Sequence, residues 1–151
     1  MKTKNGGLIF LSVFLAGILL DQGTKLFARA QFSSPQKIAP FFSLSYLTND
    51  GALWGMMRGY NWLFVLISIL AIAGIIYFFN REELKLWPQI FLALILAGAA
   101  GNLIDRLIFG YVTDFIAFSF WPTFNLADSF ITIGVLSMGI HIMLTKKEEK
   151  R

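Results

Sequence analysis

Long apolar runs alternate with short polar segments along the whole chain. Four of the runs contain about 20 mostly apolar residues each, which is the length needed to cross the hydrocarbon core of a bilayer. They cover approximately residues 6–27, 60–79, 86–109 and 124–145. We therefore predict a mainly α-helical membrane protein, with four transmembrane helices bundled in a single domain of 151 residues.

Composition agrees with this pattern. Hydrophobic residues make up 56% of the chain, whereas an ordinary soluble domain has roughly 45–50%. The net charge is +4, but the basic residues lie in the tails and short connections, so we predict no nucleic-acid partner. The absence of cysteine excludes disulfides, thiolate nucleophiles and cysteine-ligated metals.

The distribution of basic residues predicts the orientation of the four spans. Eight of the 13 lysines and arginines fall on the side of the two termini, which favours cytoplasmic termini. The connections at residues 28–59 and 110–123 then lie outside. In the first of them we predict an extracytoplasmic platform over residues 31–58, with a short strand at residues 43–48 where polar and apolar residues partly alternate.

The N-terminal run also has some features of a cleavable signal peptide. Two lysines precede it, and an A-x-A pattern follows at residues 28–30. However, the polar segment DQGTK (residues 21–25) separates the apolar core from that pattern, and three further spans follow. We therefore predict that the first helix is retained.

The acidic residues fall into two groups. All four glutamates lie in the cytoplasmic loop and tail beside basic residues, whereas the predicted topology gathers every aspartate near the outer face: Asp21, Asp50, Asp105, Asp114 and Asp128. Asp128 is the single charged residue between residues 115 and 145. A charge within a span costs at least ~2.5 kcal/mol and normally faces the bundle interior or a watery cavity. A polar cavity open to the outer side is the natural inference.

Two polar stripes with helical spacing support such a cavity: Asn102, Asp105 and Arg106 in the third span, and Asn125, Asp128, Ser129 and Thr132 in the fourth. Asp105 either pairs with Arg106 or Lys25 to hold helices together, or belongs to a site. Asn125 either caps the fourth helix or orients a neighbouring carboxylate. The small residues of AGAAGN (97–102) predict close helix packing.

The residue types limit the chemistry. The sole histidine, His141, lies at the wrong end for a hydrolase of the serine or cysteine type or for a zinc site. Two carboxylates can share a proton and perform general acid-base chemistry. Asp128 is the strongest candidate and Asp114 the next, but other pairings remain open. Proton- or ion-coupled transport, or an oxygen-ligated metal site, are alternatives.

Five segments resemble the lipoprotein signal peptidases (signal peptidase II) in the order in which that family has them. They are DQGTK (21–25), NDGALWG (49–55), GNLIDR (101–106), VTDF (112–115) and FNLADS (124–129). The likeness covers nearly the whole chain. It implies an aspartic endopeptidase of the bacterial inner membrane, with a small extracytoplasmic β-cradle, an interfacial segment and an active site on the outer side.

The resemblance also implies particular roles. The catalytic dyad falls on Asp114 and Asp128, and the matching supporting or substrate-binding residues are Asp21, Lys25, Asn49, Gly51, Asn102, Asp105, Arg106, Asn125 and Ala127. The implied substrates are diacylglyceryl-modified prolipoproteins, cut just before the lipidated cysteine, and the implied inhibitor is globomycin. We expect a monomer without metal or cofactor. Thr113 departs from the usual valine, and Leu53 and Trp54 from the commoner alanine and phenylalanine, which bears on the shape of the substrate groove.

Overall fold

The structure is a computed structural model that describes residues 6–51, 57 and 59–149. Its helices are α1 (Gly6–Gln31), α2 (Asn61–Arg81), α3 (Leu86–Phe109) and α4 (Leu126–Glu149), and its strands are β1 (Gln36–Ala39), β2 (Phe42–Asn49), β3 (Val112–Phe118) and β4 (Trp121–Phe124). All four helices are long and apolar enough to cross a membrane. The predicted four-helix architecture is thereby confirmed. Leu53 and Trp54 lie outside the described residues.

Helix α1 continues through the polar segment DQGTK near its C-terminal end. It runs without a break to Gln31, four residues beyond the predicted span. The alanines of the A-x-A pattern are therefore helical, and Ala28 is fully buried. An extended, accessible segment, which a cleavage site requires, is not present there.

The α1–α2 and α3–α4 connections form one four-stranded antiparallel sheet with the order β1-β2-β3-β4. Strand β2 contains the predicted segment 43–48. The prediction that residues 110–123 form a loop was wrong, because β3 and β4 arise there and β3 pairs with β2 across more than 60 residues of sequence. Phe124 ends β4 instead of beginning the fourth helix. Asp114 consequently lies in a strand, opposite Leu47.

Helix α3 is the centre of the bundle and contacts the other three helices. Helix α2 has extensive contact with one other helix, α3. None of its 21 residues is buried. Its side chains Trp62, Leu70 and Tyr77 are more than half exposed. Such an apolar surface on a helix is suited to lipid.

The small residues of α3 allow the polar ends of α1 and α4 to approach it closely. A Cβ atom added at Gly98 would collide with the carbonyl oxygen of Ala127, and one added at Gly101 would collide with the Asp21 carboxylate. The predicted packing role of AGAAGN is therefore confirmed. The same contacts bring Asp21 and the first turn of α4 against the polar face of α3.

Candidate active site

A cavity of about 590 Å³ lies where the sheet meets the ends of α3 and α4. Asp114 from β3 and Asp128 from the first turn of α4 both line it, together with Arg106. Its walls also include apolar side chains, among them Phe124 and Ile131. Of the five aspartates that we predicted near one cavity, Asp114 and Asp128 line this one, whereas Asp21, Asp50 and Asp105 are not among its described lining residues. That the cavity opens to the outer side stays a prediction.

Asn125 joins the two aspartates to the start of α4. Its Oδ1 accepts a hydrogen bond from the Asp128 N–H (2.9 Å), and the Asp128 Oδ2 accepts one from the Asn125 N–H (3.2 Å). This reciprocal pair is a capping box with aspartate in the third helical position. The Asn125 Nδ2 also donates to Asp114 Oδ1 (2.7 Å). Both interpretations of Asn125, helix cap and carboxylate orienter, are therefore confirmed.

The amide orientations of two further asparagines are fixed by groups that can only donate. The Asn49 Oδ1 accepts from the Gly51 N–H (3.1 Å), and the Asn102 Oδ1 accepts from the Lys25 ammonium (2.9 Å). Since the amide oxygen is held in each case, the NH₂ group must face the other way. That direction leads to the aspartates.

Each aspartate receives two N–H donors as a result. Asp114 accepts from Asn125 on one oxygen and from Asn49 on the other (2.9 Å). Asp128 accepts from the Asn102 Nδ2 (2.8 Å) and from the Asn125 backbone. These bonds fix the plane of both carboxyl groups. They leave the remaining lone pair or proton of each oxygen for a molecule in the cavity.

Asp114 has an unusual acidity for its residue type. Burial, reinforced by the negative charge of Asp128, raises the pKa of Asp114 to about 7, although the donated bonds from Asn49 and Asn125 and the charge of Lys25 act in the opposite direction. Its side chain is almost completely buried. A carboxyl group with this pKa exchanges a proton readily near neutral pH, as a general acid or base must.

Behind the cavity lies a buried network of alternating charges. The Lys25 ammonium lies 2.9 Å from Asp21 and 3.7 Å from Asp105, and the Arg29 guanidinium lies 2.7 Å from Asp105. Of the two partners predicted for Asp105, Lys25 is confirmed and Arg106 is wrong, because the Arg106 guanidinium instead lies over the Phe64 ring at 5.2 Å. The two negative charges, on Asp21 and Asp105, are balanced by the two positive charges, on Lys25 and Arg29.

The network also holds the first turn of α4. The Asp21 Oδ1 accepts a hydrogen bond from the Ala127 N–H (2.9 Å), one residue before Asp128. The Gln22 side chain donates to the Asp21 Oδ2 and to the Gly101 carbonyl, each at 3.0 Å. Asp21 therefore supports the site from α1.

Sequence reasoning missed three residues of this arrangement: Gln22, Arg29 and Thr113. Arg29 follows Asp21 and Lys25 at intervals of four residues and therefore shares their helix face, a signal that was present in the sequence. Within the described residues, no group of three or more histidine, cysteine, aspartate or glutamate side chains lies close enough to share a metal ion.

Comparison with known proteins identifies the family of this chain. The family model described as Signal peptidase (SPase) II matches residues 13–144. The chain belongs to the signal peptidase II family. Among its relatives, the "Lipoprotein signal peptidase" of Symbiobacterium thermophilum is 39% identical over 149 residues, covering 91% of this chain and 97% of the relative. The protein with the same description from Thermodesulfovibrio yellowstonii is 41% identical over 133 residues, covering 83% and 88%.

A solved structure has the same fold. It is described as "Bacterial membrane enzyme structure by the in meso method at 2.3 A resolution", and it superposes with a TM-score of 0.85 and 31% identity over 94% of this chain and 91% of that one. Membership of a peptidase family, together with four helices able to cross a membrane, makes this chain a multi-pass membrane peptidase. Family membership therefore favours peptide hydrolysis over transport.

Proposed function

We propose that the chain is an aspartic endopeptidase that removes the signal peptide from diacylglyceryl-modified prolipoproteins and cuts just before the lipidated cysteine. The observation that carries the proposal is the pair Asp114 and Asp128, which line one cavity and are each oriented by two N–H donors. Relatives described as lipoprotein signal peptidases support the substrate class.

In the proposed reaction the two carboxyl groups share one proton. Asp128 takes a proton from a water molecule, whose oxygen attacks the scissile carbonyl carbon, while protonated Asp114 donates its proton to the carbonyl oxygen. Collapse of the tetrahedral intermediate re-forms a carbonyl and breaks the C–N bond, while one of the two hydroxyl groups on that carbon returns its proton to Asp114. The leaving amine of the cysteine then takes a proton from the dyad. One water is consumed, and one carboxyl and one amine are formed.

The surroundings of the dyad suit a lipid-anchored substrate. The cavity combines the two aspartates with apolar side chains of β4 and α4, including Trp121, Phe124 and Ile131. We propose that the site opens at the outer edge of the inner membrane, with both termini cytoplasmic and lipid around the bundle. The chain would act as a monomer, and globomycin-type inhibitors would compete for the same cavity.

The dependence on substrate lipid tests the proposed function. Purified protein in detergent is given a prolipoprotein with diacylglycerol on its cysteine and, in parallel, the same polypeptide without lipid. We expect the lipidated form to be cleaved at least ~100-fold faster, because binding energy from the remote lipid positions the scissile bond. Equal cleavage of both forms would contradict the proposed substrate class.

The pH dependence of kcat/KM tests the role of Asp114. Its pKa is raised to about 7, so the group carries its proton below that pH and loses it above. If protonated Asp114 is the acid, kcat/KM falls as pH rises through about 7, approaching a tenfold loss per pH unit. The measurement is initial cleavage rate at low substrate between pH 5 and about pH 9. A rate that increases steadily through this range would exclude Asp114 as the acid.

A further inference from the structure

Three groups beside the dyad form a closed triangle of hydrogen bonds. The Arg29 Nε donates to the Thr113 hydroxyl (2.8 Å), and the Arg29 Nη2 donates to Asp105 Oδ1 (2.7 Å). The third side is the Thr113 backbone N–H, which donates to Asp105 Oδ2 (2.8 Å). Helices α1 and α3 and strand β3 each contribute one member.

Each member of the triangle is held firmly. Thr113 and Asp105 are fully buried, and Arg29 is 18% exposed. The Arg29 guanidinium also lies over the Phe109 ring, 4.1 Å from its centroid. Its planar fork matches the two acceptors it serves, a geometry that a lysine ammonium cannot reproduce.

The triangle of hydrogen bonds fixes the position of the residue that follows Thr113 in β3, which is Asp114. Successive side chains of a strand point to opposite faces, and here Thr113 faces the charge network while Asp114 meets Asn49 and Asn125. A slip of β3 by one residue would exchange these two side chains. Fixing Thr113 against α1 and α3 therefore fixes where Asp114 lies relative to Asp128.

We propose that Arg29 and Thr113 are positioning residues for the dyad, acting through the placement of strand β3. This inference rests on the proposed function. Neither residue lines the cavity in the described part of the chain, so neither is expected to touch substrate.

The test compares one substitution that removes the hydroxyl group at position 113 with one that keeps it. Thr113→Val keeps the shape of the side chain and the backbone bond to Asp105 but removes the acceptor for Arg29, whereas Thr113→Ser keeps that acceptor. Thr145→Val is the matched control, because the Thr145 hydroxyl donates to the His141 carbonyl at the other end of α4. Cleavage of the lipidated prolipoprotein is followed to obtain kcat and KM per folded protein.

We expect Thr113→Val to lower kcat roughly tenfold with KM little changed, since a small misplacement of a catalytic group slows chemistry more than binding. Thr113→Ser should restore kcat, and Thr145→Val should match the wild type. Arg29→Lys should resemble Thr113→Val, with Arg81→Lys as its control. The double variant should be little worse than either single one, because both remove the same link.

Two results would overturn the inference. One is a Thr113→Val protein with an unchanged kcat per folded molecule, which would make the link merely structural whether or not the unfolding midpoint falls. The other is failure of both Thr113→Val and Arg29→Lys to fold. If the wild type itself cleaves nothing, the proposed function fails and this inference with it, whereas an active wild type matched by Thr113→Val refutes this inference alone.

Discussion

Replacing Asp128 by asparagine is expected to abolish cleavage while leaving the protein folded. The carboxamide has the same shape and retains one oxygen to accept the bond from Asn102 or from the Asn125 backbone. It cannot take a proton from water. Loss of a general base costs about 10²–10⁴-fold in rate, and Asp114→Asn should lose a similar factor because the shared proton needs both carboxyl groups.

The matched control for both substitutions is Asp50→Asn. Asp50 lies beside Asn49 but is not among the described residues that line the cavity. The cleavage rate of the Asp50→Asn variant should equal that of the wild type. The measurement is the initial rate on lipidated prolipoprotein, with thermal unfolding in the same detergent to show that each variant is folded. Wild-type rates in both Asp114→Asn and Asp128→Asn would refute the dyad.

Replacing Lys25 by methionine is expected to have the largest effect on stability. The Lys25 side chain is completely buried between Asp21 and Asp105, and methionine has a similar length without the charge. Removing one partner from a buried ionic network costs about 3–5 kcal/mol, because the remaining charges stay desolvated without compensation. For a chain of this size, that corresponds to a fall in unfolding midpoint of roughly 10 °C.

The same substitution should reduce activity in the molecules that remain folded. Lys25 holds the Asn102 oxygen and thereby directs the Asn102 NH₂ group toward Asp128. Without the ammonium, that oxygen keeps the bond from the Asn125 Nδ2 (3.1 Å) but loses its charged donor, so the amide is held less firmly. The control is Lys37→Met, because Lys37 lies on the exposed strand β1. If the midpoints of the Lys25 and Lys37 variants agree, the buried network does not stabilise the fold as argued.

The helical part of the fold could be predicted because its signals are local. A run of about 20 apolar residues specifies a membrane span by itself, and each of the four predicted runs coincides with a helix of the structure. Hydropathy and the distribution of basic residues placed all five aspartates at the same face and left the pairing open. Asp114 and Asp128 were singled out by the family resemblance, and they are the two described aspartates that line the cavity. Small residues at 97–101 correctly indicated close packing.

The sheet could not be predicted in the same way, because its pairing is not local. Strand β3 contains the buried residues 112–115 with no alternation of polar and apolar positions, and it pairs with β2 from a distant connection. Periodicity cannot reveal such a partner. The choice between Arg106 and Lys25 as the partner of Asp105 likewise depended on how α1 packs against α3.

The amide orientations show a second limit of sequence reasoning. Asn102 and Asn125 were recognised as parts of polar stripes, but a stripe does not say which end of an amide faces a carboxylate. That follows from the Lys25 ammonium and the Asp128 N–H, each of which holds an amide oxygen. Once these donors are known, the NH₂ groups can point only toward the dyad.

The most direct test of the dyad chemistry is the intact mass of the products formed from a lipidated prolipoprotein. Hydrolysis just before the lipidated cysteine predicts two fragments whose masses sum to the substrate plus one water, with the diacylglyceryl cysteine at the N-terminus of the larger one. Neither fragment should form with Asp114→Asn or Asp128→Asn. A cut at another bond, or the same two fragments from either variant at the wild-type rate, would contradict hydrolysis by this pair of aspartates.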